Sequence, residues 1–247
     1  MRNNKIYIFG HRGASGYCVE NTLQSFKMAC NMEAHIETDI RLTKDDKLVT
    51  FHDPGFKIDD KYYKIKNLTL KELREINFGD GRTIPKLEEL FECFSEQSQL
   101  KFSFDIGSKR AGLELIQVAK QCNMVDRIFI TDTRIHILDT LRHNNPDINL
   151  VHTIPHRIAK LEDNKIDIPA LKELDIDILN IKANRYYKNN FEVAINNEFM
   201  CFFWGVNTKI RMKRLMKMEV NGCKINGIYT DYPDHAVSIC NELNEGH

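Results

Sequence analysis

Residues 35–53 read HIETDIRLTKDDKLVTFHD. Two strand-like runs, His35–Arg41 and Lys47–His52, are separated only by Leu42 to Asp46. A parallel crossover needs about a dozen residues or more, so this pair can only form an antiparallel hairpin. Short β-branched or aromatic runs recur elsewhere, at Ile6–Phe9, Phe102–Ile106, Arg127–Thr131, Ile148–Ile154, Asp177–Lys182, Met200–Val206 and Gly227–Thr230. Counted with His35–Arg41 they make eight, the number that closes a barrel. Helical spacing fills most of the intervals: Leu87, Leu90, Phe91 and Phe94 place one apolar stripe on Pro85–Glu96. Leu113 and Ile116, then Ile135, Leu138 and Leu141, and later Met212, Leu215 and Met216 repeat the pattern. Alternating strand and helix implies a parallel sheet. The predicted fold is an α/β (β/α)₈ TIM barrel, with a short antiparallel hairpin and a small insertion after the second strand. An open doubly wound sheet is the competing arrangement, but no glycine-rich phosphate loop of the nucleotide-binding kind follows any strand.

The 247 residues suit one such barrel, which runs to roughly 250 residues. No linker or low-complexity tract interrupts them, so a single domain over 1–247 is expected. Hydrophobic residues make up 42% and charged residues 28%, values of a globular chain with a substantial core. Lys plus Arg and Asp plus Glu are 35 each, so no global field favours nucleic acid or an acidic membrane. No stretch approaches the length of a membrane span, and Ile6–Phe9 is too short for a signal-peptide core. Seven scattered cysteines without a C-x-x-C pair suggest reduced, mostly buried thiols and a cytoplasmic protein.

Polar residues cluster where barrel strands end, which is where such barrels place their chemistry. Glu37 and Asp39 stand two apart on a strand and therefore point to one face, with Ile36, Thr38 and Ile40 on the other. Two inward carboxylates repel each other unless neutralised. A hard divalent cation, Mg²⁺ or Ca²⁺, would do so, with Asp105 as a third oxygen ligand from the next barrel strand. A structural ion-pair network with Arg12 or Lys109 is the competing reading. His11 follows the first strand between Gly10 and Gly13, and His52 ends the hairpin arm; both are placed to move a proton at neutral pH. Arg12 offers a planar fork for phosphate oxygens. His35, His136, His143, His156 and His235 are assigned to structural or exposed positions. An arginine, two histidines and a metal together point to cleavage of a phosphate ester.

These residues resemble the glycerophosphodiester phosphodiesterases, whose pattern is H-R-G, P-E-N-T, I-E-x-D-V with T-K-D-G, and V-x-x-H-D. Here the chain has His11-Arg12-Gly13, Val19-Glu20-Asn21-Thr22, Ile36-Glu37-Thr38-Asp39-Ile40, Thr43-Lys44-Asp45-Asp46 and Val49-Thr50-Phe51-His52-Asp53. Ile84-Pro85-Lys86-Leu87-Glu88-Glu89 is similar to the family's I-P-T-L-E-E, Trp204-Gly205-Val206-Asn207 to its W-T-V-N, and Gly227 to Asp234 to its final G-I-I-T-D-x-P. The resemblance runs in order from His11 to Asp234. It implies hydrolysis of a small-molecule glycerophosphodiester to glycerol 3-phosphate and an alcohol. It also implies His11 and His52 as the acid/base pair and Glu37 and Asp39 as ligands of a divalent cation.

The third ligand of the resembled family is the glutamate of an E-I-K motif; this chain has Asp105-Ile106-Gly107, shorter by one methylene and without the lysine. Arg12, Glu20, Asn21 and Trp204 are the further candidates for substrate or phosphate binding. Lys182 joins them as the candidate replacement for the lysine, because alternation along Asp177–Lys182 sends Leu179 and Ile181 outward and Asn180 and Lys182 inward. Two other functions are carried alongside. One is a lysophospholipase D-like reaction, against which stand the Lys- and Asp-rich residues of Pro54–Arg82, a segment expected to cover the site. The other is a catalytically weakened barrel kept as a binding module, which Gly107 favours.

Overall fold

In the computed structural model, which describes residues 6–245, eight parallel strands close into a ring. They are Tyr7–Gly10, His35–Leu42, Phe102–Ile106, Ile128–Asp132, Asn149–Thr153, Ile178–Lys182, Met200–Trp204 and Gly227–Thr230. Tyr7–Gly10 pairs with Gly227–Thr230 on one side and with His35–Leu42 on the other, so the sheet has no free edge there and an open sheet is excluded. One helix follows each strand in turn: Leu23–Asn31, Leu87–Cys93, Lys109–Gln121, Ile135–Asn144, Ile168–Glu173, Tyr187–Asn196, Lys209–Met216 and Pro233–Glu245. Leu48–Thr50 runs antiparallel to the second strand, with Leu42 opposite Leu48 and Ile40 opposite Thr50. The turn between them places Asp46 at φ 58, where the resembled family has glycine; aspartate is among the few residues that tolerate this region.

The two faces of the strands feed two cores. Phe9, Phe129, Val151, Ile178, Phe202 and Tyr229 fill the barrel interior. Ile36, Ile40, Phe102, Phe104, Ile106, Leu179 and Ile181 face outward and pack under the helices in a larger cluster. Period-two alternation produces this division, and it leaves Glu37, Asp39, Ser103, Asp105 and Asn180 on the inward face.

The insertion after the hairpin arm comprises an antiparallel pair, Gly55–Ile58 with Lys61–Lys64, and a helix, Leu70–Glu75. Its apolar residues fold onto a core of their own, Val49, Phe51, Ile65, Leu73 and Ile84, with Phe56 and Phe78 packed against it. None of the residues of Pro54–Arg82, the segment expected over the site, lines the cavity at the barrel mouth. All seven cysteines are free, and the expectation that most are buried holds only for Cys201; the other six are half-buried. Among the described residues no helix is long and apolar enough to cross a membrane.

Candidate active site

At the C-terminal mouth of the barrel lies a cavity of about 530 Å³. Strand alternation brings Glu37, Asp39 and Asp105 to one wall. Asp39 and Asp105 are in register on adjacent strands, and Glu37 is the next inward residue of its own strand. Carboxylate oxygens of the three lie within 4.8 Å of one another. Glu37 and Asp39 are buried, whereas Asp105 opens onto the cavity. Loss of solvation inside the barrel, and then repulsion from Asp39 and Asp105, hold the Glu37 carboxyl well above its ordinary range. Loss of solvation, followed by Asp39 and Asp132, pushes Asp105 upward too, against the opposing pull of Arg41 and Arg12.

The network reading holds in part, because Arg12 reaches this wall and Lys109 does not. The Arg12 main-chain N–H donates to Glu37 Oε2 at 2.7 Å, and Arg12 Nε stands 3.3 Å from Asp39 Oδ2 as an ion pair without hydrogen-bond alignment. Lys109 is exposed at the start of its helix. The three clustered acidic groups outnumber the two arginines, Arg12 and Arg41, whose charge acts on them. An all-oxygen set of this kind fits a hard divalent cation. The residues present therefore suit the ion that the sequence implies.

The loop after the first strand supports this wall. Arg12 has φ 54 and Gly13 φ 81, and a Cβ at Gly13 would meet the Ser25 carbonyl carbon at 2.5 Å, so only glycine fits. Each residue of Glu20-Asn21-Thr22 then has a separate task. Glu20 Oε2 accepts from Arg12 Nη1 at 2.8 Å. Asn21 Nδ2 donates to Asp39 Oδ2 at 3.2 Å, while its Oδ1 accepts from Thr38 Oγ1 at 2.7 Å. Thr22 caps helix Leu23–Asn31 by accepting from the Ser25 N–H. Glu20 and Asn21, which the sequence assigns to substrate, do not line the cavity; they hold Arg12 and Asp39 in place.

Both histidines line the cavity, and each has its Nδ1 on a carboxylate. His11 Nδ1 lies 2.7 Å from Asp231 Oδ1, and His52 Nδ1 lies 2.8 Å from Asp53 Oδ1. An Nδ1–H donated to a carboxylate leaves Nε2 as the ring atom able to take a proton. Asp231 is the better held of the two partners. It accepts from Ser15 Oγ at 3.1 Å and from Asn207 Nδ2, and its own N–H donates to Asn207 Oδ1 at 3.0 Å. Burial works to raise its carboxyl, but the hydrogen bond and charge of His11 prevail and hold it below the ordinary range. Asp53 is mostly exposed.

The opposite wall carries Thr153, His156, Asn180, Trp204, Gly205 and Asn207. His156, assigned by sequence to a structural or exposed position, is exposed and also packs its ring 4.7 Å from that of Trp204. No local spacing marks it, since it follows its strand by three residues in an irregular loop. Lys182 is exposed, with Nζ 4.9 Å over the Trp204 ring, and it is not among the residues lining the cavity. Thr131 Oγ1, Asn180 Oδ1 and Trp204 Nε1 are buried without protein partners on residues that face the cavity. Water or a hydroxylated ligand can complete them.

A closed (β/α)₈ barrel with two carboxylate-supported imidazoles facing an acidic cluster defines the class. The sequence model of the glycerophosphoryl diester phosphodiesterase family matches residues 11–235, nearly the whole chain, and the protein belongs to that family. It is thus a phosphodiesterase. A glycerophosphodiester phosphodiesterase of Caldanaerobacter subterraneus subsp. tengcongensis is 28% identical over 253 residues, covering 95% of this chain and 98% of the relative. One of Bacillus altitudinis is 26% identical over 261 residues, covering 96% and 98%. A phosphodiesterase of Oleispira antarctica, solved in complex with the product sn-glycerol-3-phosphate, shares the fold with a TM-score of 0.80 at 20% identity, over 95% of this chain and 96% of that one.

Proposed function

We propose that this protein hydrolyses water-soluble glycerophosphodiesters to glycerol 3-phosphate and an alcohol, with His11 and His52 as the acid/base pair and Glu37, Asp39 and Asp105 holding Mg²⁺ or Ca²⁺. The observation that carries this reading is the pairing of two imidazoles, each oriented by a carboxylate at Nδ1, with three clustered carboxylates across one cavity. When bound, the cation supplies Lewis-acid stabilisation to a phosphate oxygen. Arg12, with its main chain on Glu37 and its Nε beside Asp39, directs positive charge at the same place.

His11 serves as base. Its Nε2 takes the proton of the substrate's own neighbouring hydroxyl as that oxygen attacks phosphorus, and ionised Asp231 stabilises the resulting imidazolium. His52, on the more open side of the mouth, gives its proton to the departing alcohol oxygen. Water then opens the cyclic phosphate with the two histidines exchanging roles.

The unpartnered Thr131, Asn180 and Trp204 atoms favour a hydroxylated polar substrate. Phe56 and Phe78 of the insertion are turned into its own core, with rings 4.7 Å apart, and no residue of the insertion lines the cavity to offer a lysolipid chain an apolar track there. Turnover of glycerophosphocholine and of a lysophospholipid by wild type, His11→Ala and His52→Ala tests the proposal. Wild type should cleave the former much faster. Each variant should stay folded and lose roughly 10²–10⁴ in rate. A folded variant with near-normal turnover removes that histidine from the mechanism.

A further inference from the structure

Arg41 is the next residue on the inward face of the second strand after Glu37 and Asp39, at the same two-residue spacing. Its side chain crosses to the neighbouring strand end and lies over Gly107. A Cβ built on Gly107 would collide with Arg41 Nη1 and stand only 3.0 Å from its Cδ and 3.1 Å from its Cζ. The backbone cannot move aside readily, because the Gly107 N–H donates to the Ile40 carbonyl at 3.2 Å. From this position Arg41 Nη2 donates to the main-chain carbonyl of His52, and its charge acts on Asp105. Arg41 Nε is buried without a partner. One guanidinium therefore joins three places: the end of the third strand, the acidic wall and the main chain that carries His52.

We propose that Arg41 is a positioning residue for His52, and that position 107 is glycine because the Arg41 guanidinium occupies the space of a side chain there. The proposal rests on the reading of His52 as a proton-transfer group. Among the described residues no other hydrogen bond holds the His52 carbonyl, and the imidazole's own partner, Asp53, is mostly exposed. A planar fork suits this task better than an ammonium, since one arm, Nη2, bonds the carbonyl while the other, Nη1, occupies the space beside Gly107.

The test uses the full chain with glycerophosphocholine as substrate, in wild type, Arg41→Met, Arg41→Lys, Gly107→Ala and the Gly107→Ala/Arg41→Met pair. Amide hydrogen exchange over residues 51–56 is followed in the same proteins without added metal. Arg41→Met should lower kcat by roughly 10–100-fold, the range for groups that orient a site, with little change in KM. Exchange over 51–56 should speed up roughly tenfold or more as the charged donor is lost. Arg41→Lys should recover only part of kcat. Gly107→Ala should slow the enzyme by displacing the guanidinium, and should cost little more once Arg41 is already Met. Wild-type kcat and wild-type exchange in Arg41→Met overturn the proposal. So does an equal cost of Gly107→Ala in both backgrounds. Should Arg41→Met not fold, Arg41→Lys and Gly107→Ala decide by the same two readouts. A wild-type protein without turnover contradicts the reaction assigned above, and exchange over 51–56 then still decides the role of Arg41.

Discussion

Asp231 Oδ1 lies 2.7 Å from Nδ1 of His11, joining the end of the last barrel strand to the end of the first across 220 residues of sequence. Asp231→Asn should keep the fold and reverse the preferred ring tautomer, because the amide offers Nδ1 a donor in place of an acceptor. A loss on the order of 10² or more in kcat is expected, by the logic of a triad whose aspartate is removed. Steady-state kinetics beside a thermal unfolding curve checks both halves of that expectation.

The same pair has a signature in stability. The folded-state carboxyl of Asp231 is lowered, so its contribution is present above the ordinary carboxylate value of about 3.9 and is lost as pH falls through the depressed folded value. Wild type should therefore lose more stability than Asp231→Asn between about pH 4 and the acid limit. Parallel acid-unfolding curves for the two proteins would contradict this.

Glu37 and Asp105 carry the opposite sign. Their folded-state carboxyls are raised, Asp105 to about 8, so without a cation stability falls as pH rises from the ordinary value near 4 towards that point. Metal binding near neutral pH should release protons. Calorimetric titration of the stripped protein with Mg²⁺ or Ca²⁺, in buffers of different ionisation enthalpy, measures the number released. Binding heats independent of buffer would count against these carboxyls as ligands.

Much of this arrangement is legible in the chain. The hairpin forced by the five residues between His35–Arg41 and Lys47–His52 settles the strand count, and alternation places Glu37, Asp39 and Asp105 on the inward face. What escapes the sequence is side-chain reach. His156 meets Trp204 from a loop without periodicity, the partner of His11 lies 220 residues away, and Arg12 itself sits on a strained turn. Arg41 is visible as the inward successor of Asp39, but its crossing to Gly107 depends on the register of two strands. The sequence also does not show that Phe51, Ile65, Leu73 and Ile84 give the insertion a core of its own to fold onto.

Lys182 marks the edge of the site. Its Nζ sits over the Trp204 ring, and the residue is exposed and does not line the cavity. Lys182→Met should change kcat and KM of glycerophosphocholine by no more than roughly twofold, as for surface positions. A large rise in KM would bring the lysine back into phosphate binding.

Arg127 supports the opposite end of the barrel. Its buried guanidinium donates to the carbonyls of Phe94 (3.0 Å), Gln97 (2.7 Å) and Leu100 (3.0 Å), closing the loop before the third strand. Arg127→Met strips those buried acceptors of their donor and should destabilise by about 3 kcal/mol, without altering kcat at the distant mouth. Denaturant unfolding and turnover, measured together, separate the two effects.

The most direct measurement of the central claim is glycerophosphocholine turnover after exhaustive chelation and after return of Mg²⁺ or Ca²⁺. A cation held by Glu37, Asp39 and Asp105 predicts activity that disappears in the stripped enzyme and returns with the ion, with Asp39→Asn shifting the required concentration upward. Full turnover in excess chelator, by a protein shown to be metal-free, would contradict it.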